Sequence, residues 1–196
     1  ACCALCCSGP GAAEASGFMS ERHTGIRHGL TKFGARDFSL YLRRSFAKSM
    51  GYSKAMLEKP VIGIANTYSG FNNCHRHFPE LVDAVKRGVL AAGALPIEFP
   101  TISLGEMLMK PTAMLYRNLM AMDVEESIRA NPLDGVVLLC GCDKTTPAQL
   151  MGAASVDLPA IMVPGGPMLA GTCRDRKLGS GTDGRKLVDM FLPGRL

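Results

Sequence analysis

Residues 60–99 read PVIGIANTYSGFNNCHRHFPELVDAVKRGVLAAGALPIEF, and their hydrophobic pattern indicates a fold class. The short apolar run at 61–65 predicts a buried strand, and the run at 95–99 predicts a second one. Between them, residues 79–92 begin with a proline, end before Gly93 and carry apolar residues in helical register, which predicts a helix. Strand, helix, strand is the repeating unit of a parallel sheet.

The same alternation continues on both sides of this stretch. Further helices are predicted at 38–50, 113–129 and 147–155, and further strands at 135–140 and 160–163. We therefore predict an α/β fold in which helices cover both faces of a parallel sheet. The loops that follow the strands all emerge at one edge of such a sheet, and ligands bind there.

The composition is that of an ordinary folded domain. The chain has 196 residues, of which 47% are hydrophobic and 20% are charged, and it contains no apolar run near the roughly 20 residues of a membrane-spanning helix. The net charge of +5 is local, because residues 21–60 hold nine Lys/Arg and three Asp/Glu, or +6, which leaves −1 elsewhere. Since no basic stripe with aromatic residues follows, we expect no nucleic-acid partner and no membrane partner.

The eight cysteines do not have the spacing of a disulfide scaffold. Four of them crowd the first seven residues, at Cys2, Cys3, Cys6 and Cys7. The others are far from this group and show no framework spacing, and no second ligand pair that a zinc site would need follows the first group nearby. Met19 opens a stretch typical of a translation start, so we predict a disordered leader at 1–18 and an N-terminal arm at 19–37.

Metal-binding residue types follow three of the predicted strands. Cys74 lies in the loop after the first strand, Glu106 lies after the second, and Cys142 and Asp143 lie after the third. Thiolates bind iron–sulfur clusters or zinc, whereas carboxylates bind magnesium and similar hard ions. The pattern therefore predicts that soft and hard ligands meet at one edge of the sheet.

Three stretches carry a resemblance to a known family. They are NTYSGFNNCHRHFPELVDAVKRGV (66–89), FPTISLGE (99–106) and DGVVLLCGCDKTTPAQLMGAAS (134–155). They resemble the N-terminal part of the dihydroxy-acid/6-phosphogluconate dehydratase family, which includes the sugar-acid dehydratases, over roughly residues 29–196. The resemblance implies that residues 38–196 are part of an N-terminal α/β domain, and that a C-terminal barrel-like domain is absent from this fragment.

The resemblance also implies an activity. Members are hydro-lyases that remove water from a 2,3-dihydroxy acid to give a 2-oxo acid, with an iron–sulfur cluster and Mg²⁺ as cofactors. We expect a [2Fe–2S] cluster rather than [4Fe–4S], and a sugar acid (aldonate) as the small-molecule substrate. The alternative substrate is a dihydroxy acid of branched-chain amino acid biosynthesis. We further expect the full-length parent to be a homo-oligomer, dimeric or tetrameric, in the cytoplasm, with an organelle as the alternative.

Individual residues match the ligands of the family. Cys74 and Cys142 match two of its three cluster cysteines, and Glu106, Asp143 and Lys144 match its magnesium ligands. Lys144, a carbamate in some members, is the candidate catalytic residue. The third cluster cysteine, a further carboxylate and a serine base are expected beyond residue 196. We therefore predict that this chain alone is inactive, and a noncatalytic truncated product remains the alternative.

The proposed chemistry explains why both metals are needed. A divalent ion stabilises the charge that develops when a proton is removed next to a carboxylate, and an iron with an open position can accept the leaving hydroxyl. Carbamylation of Lys144 requires its neutral amine, which burial would favour by lowering the pKa and which the neighbouring Asp143 would oppose.

Other residues have weaker assignments. His75 and Thr145 are candidates for residues that contact and orient the metal ligands without binding the metal themselves. Cys140 is predicted to be a core residue, and Cys173 to be structural or free. Residues 179–184 spell G-x-G-x-x-G, but no buried strand precedes them and no acidic residue follows at the right distance, so we reject a dinucleotide site.

Overall fold

Four parallel strands form the central sheet. They are β1 (Val61–Asn66), β2 (Leu95–Pro100), β3 (Gly135–Cys140) and β4 (Ala160–Pro164). Their order across the sheet is β2-β1-β3-β4, with Val61 opposite Leu95 and Val136 opposite Ala160. Each strand begins at its predicted residue, and the predicted parallel α/β sheet is confirmed.

The computed structural model describes residues 24–30, 33–167, 169–173, 175–179 and 181–192. The leader predicted at 1–18 lies outside these residues, as do parts of the predicted arm at 19–37. Within the described part of the chain, none of the helices has the length and apolar character that crossing a membrane requires.

The predicted helices are present, with shifted ends. They are α1 (Arg36–Ser49), α2 (Phe78–Ala91), α3 (Arg117–Ala130) and α4 (Thr145–Ala154), and α5 (Thr182–Phe191) follows them. The residues predicted to open the third helix form a 3-10 turn instead, Ala113–Tyr116. A hairpin of β5 (Gly171–Cys173) and β6 (Arg176–Leu178) was not predicted, and neither was α5. Three-residue polar strands are too short for periodicity to reveal them.

The side chains of the strands alternate between two cores. On one face, Val61, Ala65, Val136 and Leu138 pack with residues of α3 and α4. On the other face, Ile64, Val137 and Leu139 pack with Phe78 and Val82 of α2. All six residues of β3 are buried, as expected for a strand with helices on both sides. The predicted two-sided covering is therefore confirmed at the centre of the sheet, whereas β4 at its edge is largely exposed.

Helix α1 buries only part of the face that its large apolar residues suggest. Phe46 and Met50 each expose 68% of their surface, whereas Ser39 and Ala47 are buried. Ala47 belongs to the core cluster that also contains Leu57. Leu40 is half-buried and packs against the same cluster, so the buried face of α1 combines one large apolar residue with small side chains. The spacing of large apolar residues alone does not reveal the small members of that face.

The N-terminal segment is attached at the amino end of the sheet. Asp134 Oδ2 accepts hydrogen bonds from the N–H groups of Gly25 and Val61, each at 2.7 Å, and its Oδ1 lies 2.9 Å from His28 Nε2. Asp134 directly precedes β3, so this attachment lies at the end of the sheet opposite to the loops that follow the strands.

Candidate functional site

The loops that follow the four sheet strands meet at the carboxyl edge, and side chains of the first loop connect them. His75 Nε2 accepts the backbone N–H of Cys142 in the third loop at 3.2 Å. Asn72 Nδ2 donates to Ser103 Oγ in the second loop at 3.1 Å, and His77 Nε2 donates to the Gly165 carbonyl in the fourth at 2.9 Å. The structure thus brings the predicted loops together.

Two thiols form the soft part of the site. Cys142 is buried two residues after the end of β3, and its Sγ lies 3.5 Å from Asn72 Oδ1, which also accepts the N–H of Cys74 at 3.1 Å. Burial, followed by the neighbouring Cys74 thiol, raises the pKa of Cys142 to about 12. Without a metal, Cys142 is therefore a protonated thiol at neutral pH, and binding a metal must release that proton.

The imidazole of His75 holds the backbone of Cys142 through a hydrogen bond. Its Nδ1 lies 2.8 Å from the Thr67 carbonyl, while its Nε2 faces the N–H of Cys142. A carbonyl only accepts and a backbone amide only donates, so the ring proton must be on Nδ1 and the ring is neutral. Burial lowers the pKa of His75, which agrees with this state. The ring stacks on Phe78 with centroids 4.3 Å apart.

The hard part of the site is an ion-paired cluster. Lys144 Nζ lies 2.8 Å from Asp143 Oδ2 and 3.0 Å from Glu106 Oε2, so residues from two loops meet at one cation. Hydrogen bonds to Asp143 and then Glu106 raise the pKa of Lys144. The amine is therefore an ammonium at neutral pH, and the neighbouring carboxylates oppose the neutral form that carbamylation needs.

The side chains at this edge are of the types that the expected cofactors bind. Iron–sulfur clusters take cysteine thiolates, of which Cys74 and Cys142 supply two, and magnesium takes carboxylates together with water. Glu106 and Asp143 already converge on a cation, the ammonium of Lys144. Within the described ranges, however, no three His, Cys, Asp or Glu side chains are gathered into one metal-binding group. The residues described here thus provide partial ligand sets.

Other predicted residues have clear places. Thr145 is buried at the start of α4, and its Oγ1 donates to the Leu104 carbonyl at 3.4 Å, two residues before Glu106. Cys140 is fully buried in β3, as predicted for a core residue. Cys173 is the last residue of β5. The strand before residues 179–184 is β6, which is short and largely exposed, in agreement with rejecting a dinucleotide site.

A cavity of about 390 Å³ opens beside the Cys74 loop. Its walls come from residues 68–73, Arg76, Met107 and Leu108. Phe71 and Met107 are 77% and 79% exposed, so apolar surface faces solvent next to the candidate metal ligands. Arg76 adds a guanidinium, which is the kind of group that binds a carboxylate.

Sequence reasoning did not identify the uncharged residues that connect the loops. Thr67 Oγ1 donates to the Leu139 carbonyl at 2.9 Å, and Asn72 and Ser103 bond each other across two loops. One local signal was available. An asparagine two residues before Cys74 is typical of a turn in which the side chain accepts the N–H two positions later, as Asn72 does.

Comparisons with known proteins agree with the geometry. Residues 59–191 match the family model described as dihydroxy-acid/6-phosphogluconate dehydratase N-terminal. The chain is 54% identical over 165 residues to an L-arabonate dehydratase of Azospirillum brasilense, covering 84% of this chain and 28% of that protein. It is 47% identical over 174 residues to a 6-deoxy-6-sulfo-D-gluconate dehydratase of Pseudomonas putida, covering 87% and 30%.

A more distant relative has a different substrate in its name. The chain is 43% identical over 140 residues to a dihydroxy-acid dehydratase of Halothermothrix orenii, covering 69% of this chain and 25% of that protein. The chain spans less than a third of the length of each of these relatives.

Proposed function

This chain belongs to the dihydroxy-acid/6-phosphogluconate dehydratase family, and from that membership we propose that it contributes part of the active site of a hydro-lyase. The reaction would convert a 2,3-dihydroxy acid into a 2-oxo acid. The proposal rests on one observation, which is that thiols suited to an iron–sulfur cluster and carboxylates suited to magnesium lie at the same edge of the sheet. The Cys74–Cys142 thiols are joined there to loops that also bring Glu106 and Asp143 onto Lys144.

A sugar acid is the proposed substrate class. Two relatives named for sugar acids are 54% and 47% identical to this chain, whereas a third, named for D-xylonate, is 43% identical, the same as the relative named for dihydroxy acids. The guanidinium of Arg76 in the adjoining cavity would bind the carboxylate of such an acid. Exposed Phe71 and Met107 would lie against the remainder of the substrate or of the protein.

The proposed cofactors are a [2Fe–2S] cluster and Mg²⁺. When bound, the iron supplies a Lewis acid for the leaving hydroxyl and the magnesium supplies charge that stabilises the anion formed beside the carboxylate. Cys74 and Cys142 would hold the cluster, and Glu106, Asp143 and Lys144 would hold the magnesium.

The residues of this chain prepare the site in several ways. His75 keeps the Cys142 backbone in place as a neutral acceptor at Nε2, and its own proton stays at Nδ1 on the Thr67 carbonyl. Asp143 and Glu106 are held together by the Lys144 ammonium, which must lose a proton before Nζ can react with carbon dioxide to give a carbamate whose oxygen could bind magnesium. Burial of Cys142 limits the access of water to its sulfur.

The test is an activity assay on the full-length parent. It is purified without oxygen and supplied with iron, sulfide and Mg²⁺, and the formation of 2-oxo acid is measured from L-arabonate, D-gluconate and 2,3-dihydroxy-3-methylbutanoate. We expect turnover of the sugar acids, none by the 196-residue chain alone, and loss of both iron and turnover in Cys142→Ser. The matched control is Cys140→Ala, which removes a buried thiol from the core and should retain both.

Each alternative has its own outcome. Turnover of 2,3-dihydroxy-3-methylbutanoate alone would support a role in branched-chain amino acid biosynthesis. Absence of turnover with every acid, despite full iron content, would support a noncatalytic product. If Cys142→Ser retained iron and activity, the proposed cluster ligand would be wrong.

A further inference from the structure

The carboxamide of Asn72 contacts three of the strand-end loops at once. It is 2% exposed, and both of its ends are used. Its Oδ1 accepts the N–H of Cys74 at 3.1 Å and lies 3.5 Å from Cys142 Sγ, while its Nδ2 donates to Ser103 Oγ at 3.1 Å. One buried side chain therefore contacts both cysteine residues and the loop that leads to Glu106.

The Glu106 loop packs directly on this side chain. A Cβ atom at Gly105 would lie 3.2 Å from both Asn72 Cβ and Asn72 Cγ, and 3.1 Å from the Phe71 carbonyl oxygen. These distances are tighter than normal contacts, so the approach depends on the absence of a side chain at Gly105. Glu106 follows immediately and reaches Lys144 Nζ at 3.0 Å.

From these contacts we propose that Asn72 is a positioning residue, which holds the Cys74–Cys142 pair in register with the Glu106 loop before any metal binds. This inference rests on the proposed function, because it assigns a role within the same site. Two cysteines 68 positions apart in the sequence bind a metal tightly only if their loops are ordered beforehand. Asn72 does this through polar contacts with both cysteines and steric contact with Gly105.

The alternative is that Asn72 merely closes the turn before Cys74. That role would affect the folding of the loop, but it would not specifically weaken a metal held by both cysteines. The test must therefore measure metal binding at the pair, in a chain whose fold is monitored separately.

The experiment uses the full 196-residue chain, reduced and metal-free, with Zn²⁺ alone as the thiol-binding probe. N-ethylmaleimide is added at increasing Zn²⁺ concentrations, and mass spectrometry of the peptides gives the extent of Cys74 alkylation. Resolving each cysteine separately removes interference from the cysteines near the N-terminus. The protection of Cys74 that is lost in Cys142→Ser is the part that requires both cysteines. Alkylation of the buried Cys140 reports unfolding.

We expect Asn72→Ala to raise the Zn²⁺ concentration that half-protects Cys74 by about 10- to 100-fold, the usual effect of losing a residue that orients metal ligands. Cys140 should stay protected. Gly105→Ala should shift the midpoint in the same direction but less, because its Cβ displaces Asn72 without removing it. The matched control is Asn73→Ala, an exposed asparagine of the same loop, which should leave the midpoint unchanged.

An unchanged midpoint in a folded Asn72→Ala chain would overturn the inference, and so would a wild-type chain whose Cys74 is not protected by Zn²⁺. If Asn72→Ala exposes Cys140 and is therefore unfolded, the folded Gly105→Ala chain is used instead. An unchanged Zn²⁺ midpoint in that chain would overturn the inference. The proposed function is judged separately by the 2-oxo acid assay. Zn²⁺ protection that depends on Asn72, without dehydration by the parent, would support this inference and count against the hydro-lyase.

Discussion

Two ionisable residues near the same sheet edge are held in opposite states. His75 is enclosed by uncharged partners, Thr67 and Asn72, and burial keeps its imidazole neutral. Lys144 faces two carboxylates, which keep its amine charged. Residue type alone does not determine these states, because the pKa depends on whether the neighbours can compensate the charge.

The state of His75 predicts an acid-sensitive fold. The pKa of His75 is lowered from 6.5, so as the pH falls below 6.5 the unfolded chain takes up a proton that the folded chain does not. The free energy of unfolding of the metal-free chain should therefore decrease with acidification, by at most about 1.4 kcal/mol per pH unit from this residue. Urea unfolding between pH 7.5 and pH 5.5 measures the decrease.

His75→Gln is the comparison for this prediction. The variant lacks the titrating ring, so its free energy of unfolding should fall less over the same range, from a lower starting value because contacts are lost. The imidazole of His77 also lies beside His75, and it is present in both proteins. Identical pH dependence in the two proteins would show that His75 does not contribute.

At the scale of elements, the two ends of the sheet have different roles. The loops after β1 to β4 bring together the chemically active side chains, while Asp134 at the opposite end attaches the N-terminal segment. Arg43 of α1 reinforces that attachment by donating to the carbonyls of Ile26 at 2.8 Å and Gly29 at 3.0 Å. The attachment of the N-terminal segment and the candidate site thus lie at opposite ends of the same strands.

Removing the Asp134 carboxylate should destabilise the chain. Asp134→Ala leaves the N–H of Val61, a fully buried residue, and the N–H of Gly25 without their acceptor. We expect the free energy of unfolding to fall by about 1–3 kcal/mol, the cost of an unsatisfied buried donor. Urea denaturation checks this, with Asp83→Ala on the exposed side of α2 as the control. Equal losses in the two variants would contradict the assigned role.

At the scale of the whole molecule, the two hydrophobic cores share one sheet. Val82 of α2 packs on one face and Val124 of α3 on the other, and β3 contributes alternate residues to both. Neither core can be lost without exposing side chains of β3. We therefore expect the two faces to unfold together.

This shared sheet predicts one cooperative transition. Val82→Ala and Val124→Ala should each lower the free energy of unfolding by about 2 kcal/mol, because each deletes two buried methyl groups. The losses should add within about 0.5 kcal/mol in the double variant, since the sites lie on opposite faces. Circular dichroism and tyrosine fluorescence in urea should give coincident curves. Val188→Ala, on an exposed position of α5, is the control, and separate transitions would contradict the shared core.

The sequence alone predicted the strands of the sheet and the edge at which their loops emerge. Apolar runs located the first residue of all four sheet strands. β3 is continuously apolar because it is buried throughout, whereas β4 is apolar although it is largely exposed. Parallel topology then required the loops with Cys74, Glu106 and Cys142 to emerge at one edge. The family motifs supplied the expected ligand roles, which stay predictions.

Only the tertiary structure decided how those loops are held together. The contacts of Asn72 with Cys142 and of His75 with the Cys142 amide join residues 70 and 67 positions apart. The small buried face of α1 depends likewise on what packs against it. Periodicity encodes which face of an element is apolar, because that depends on neighbours along the chain. Hydrogen bonds between loops depend on distances across the sheet, and these exist only once the strands have paired.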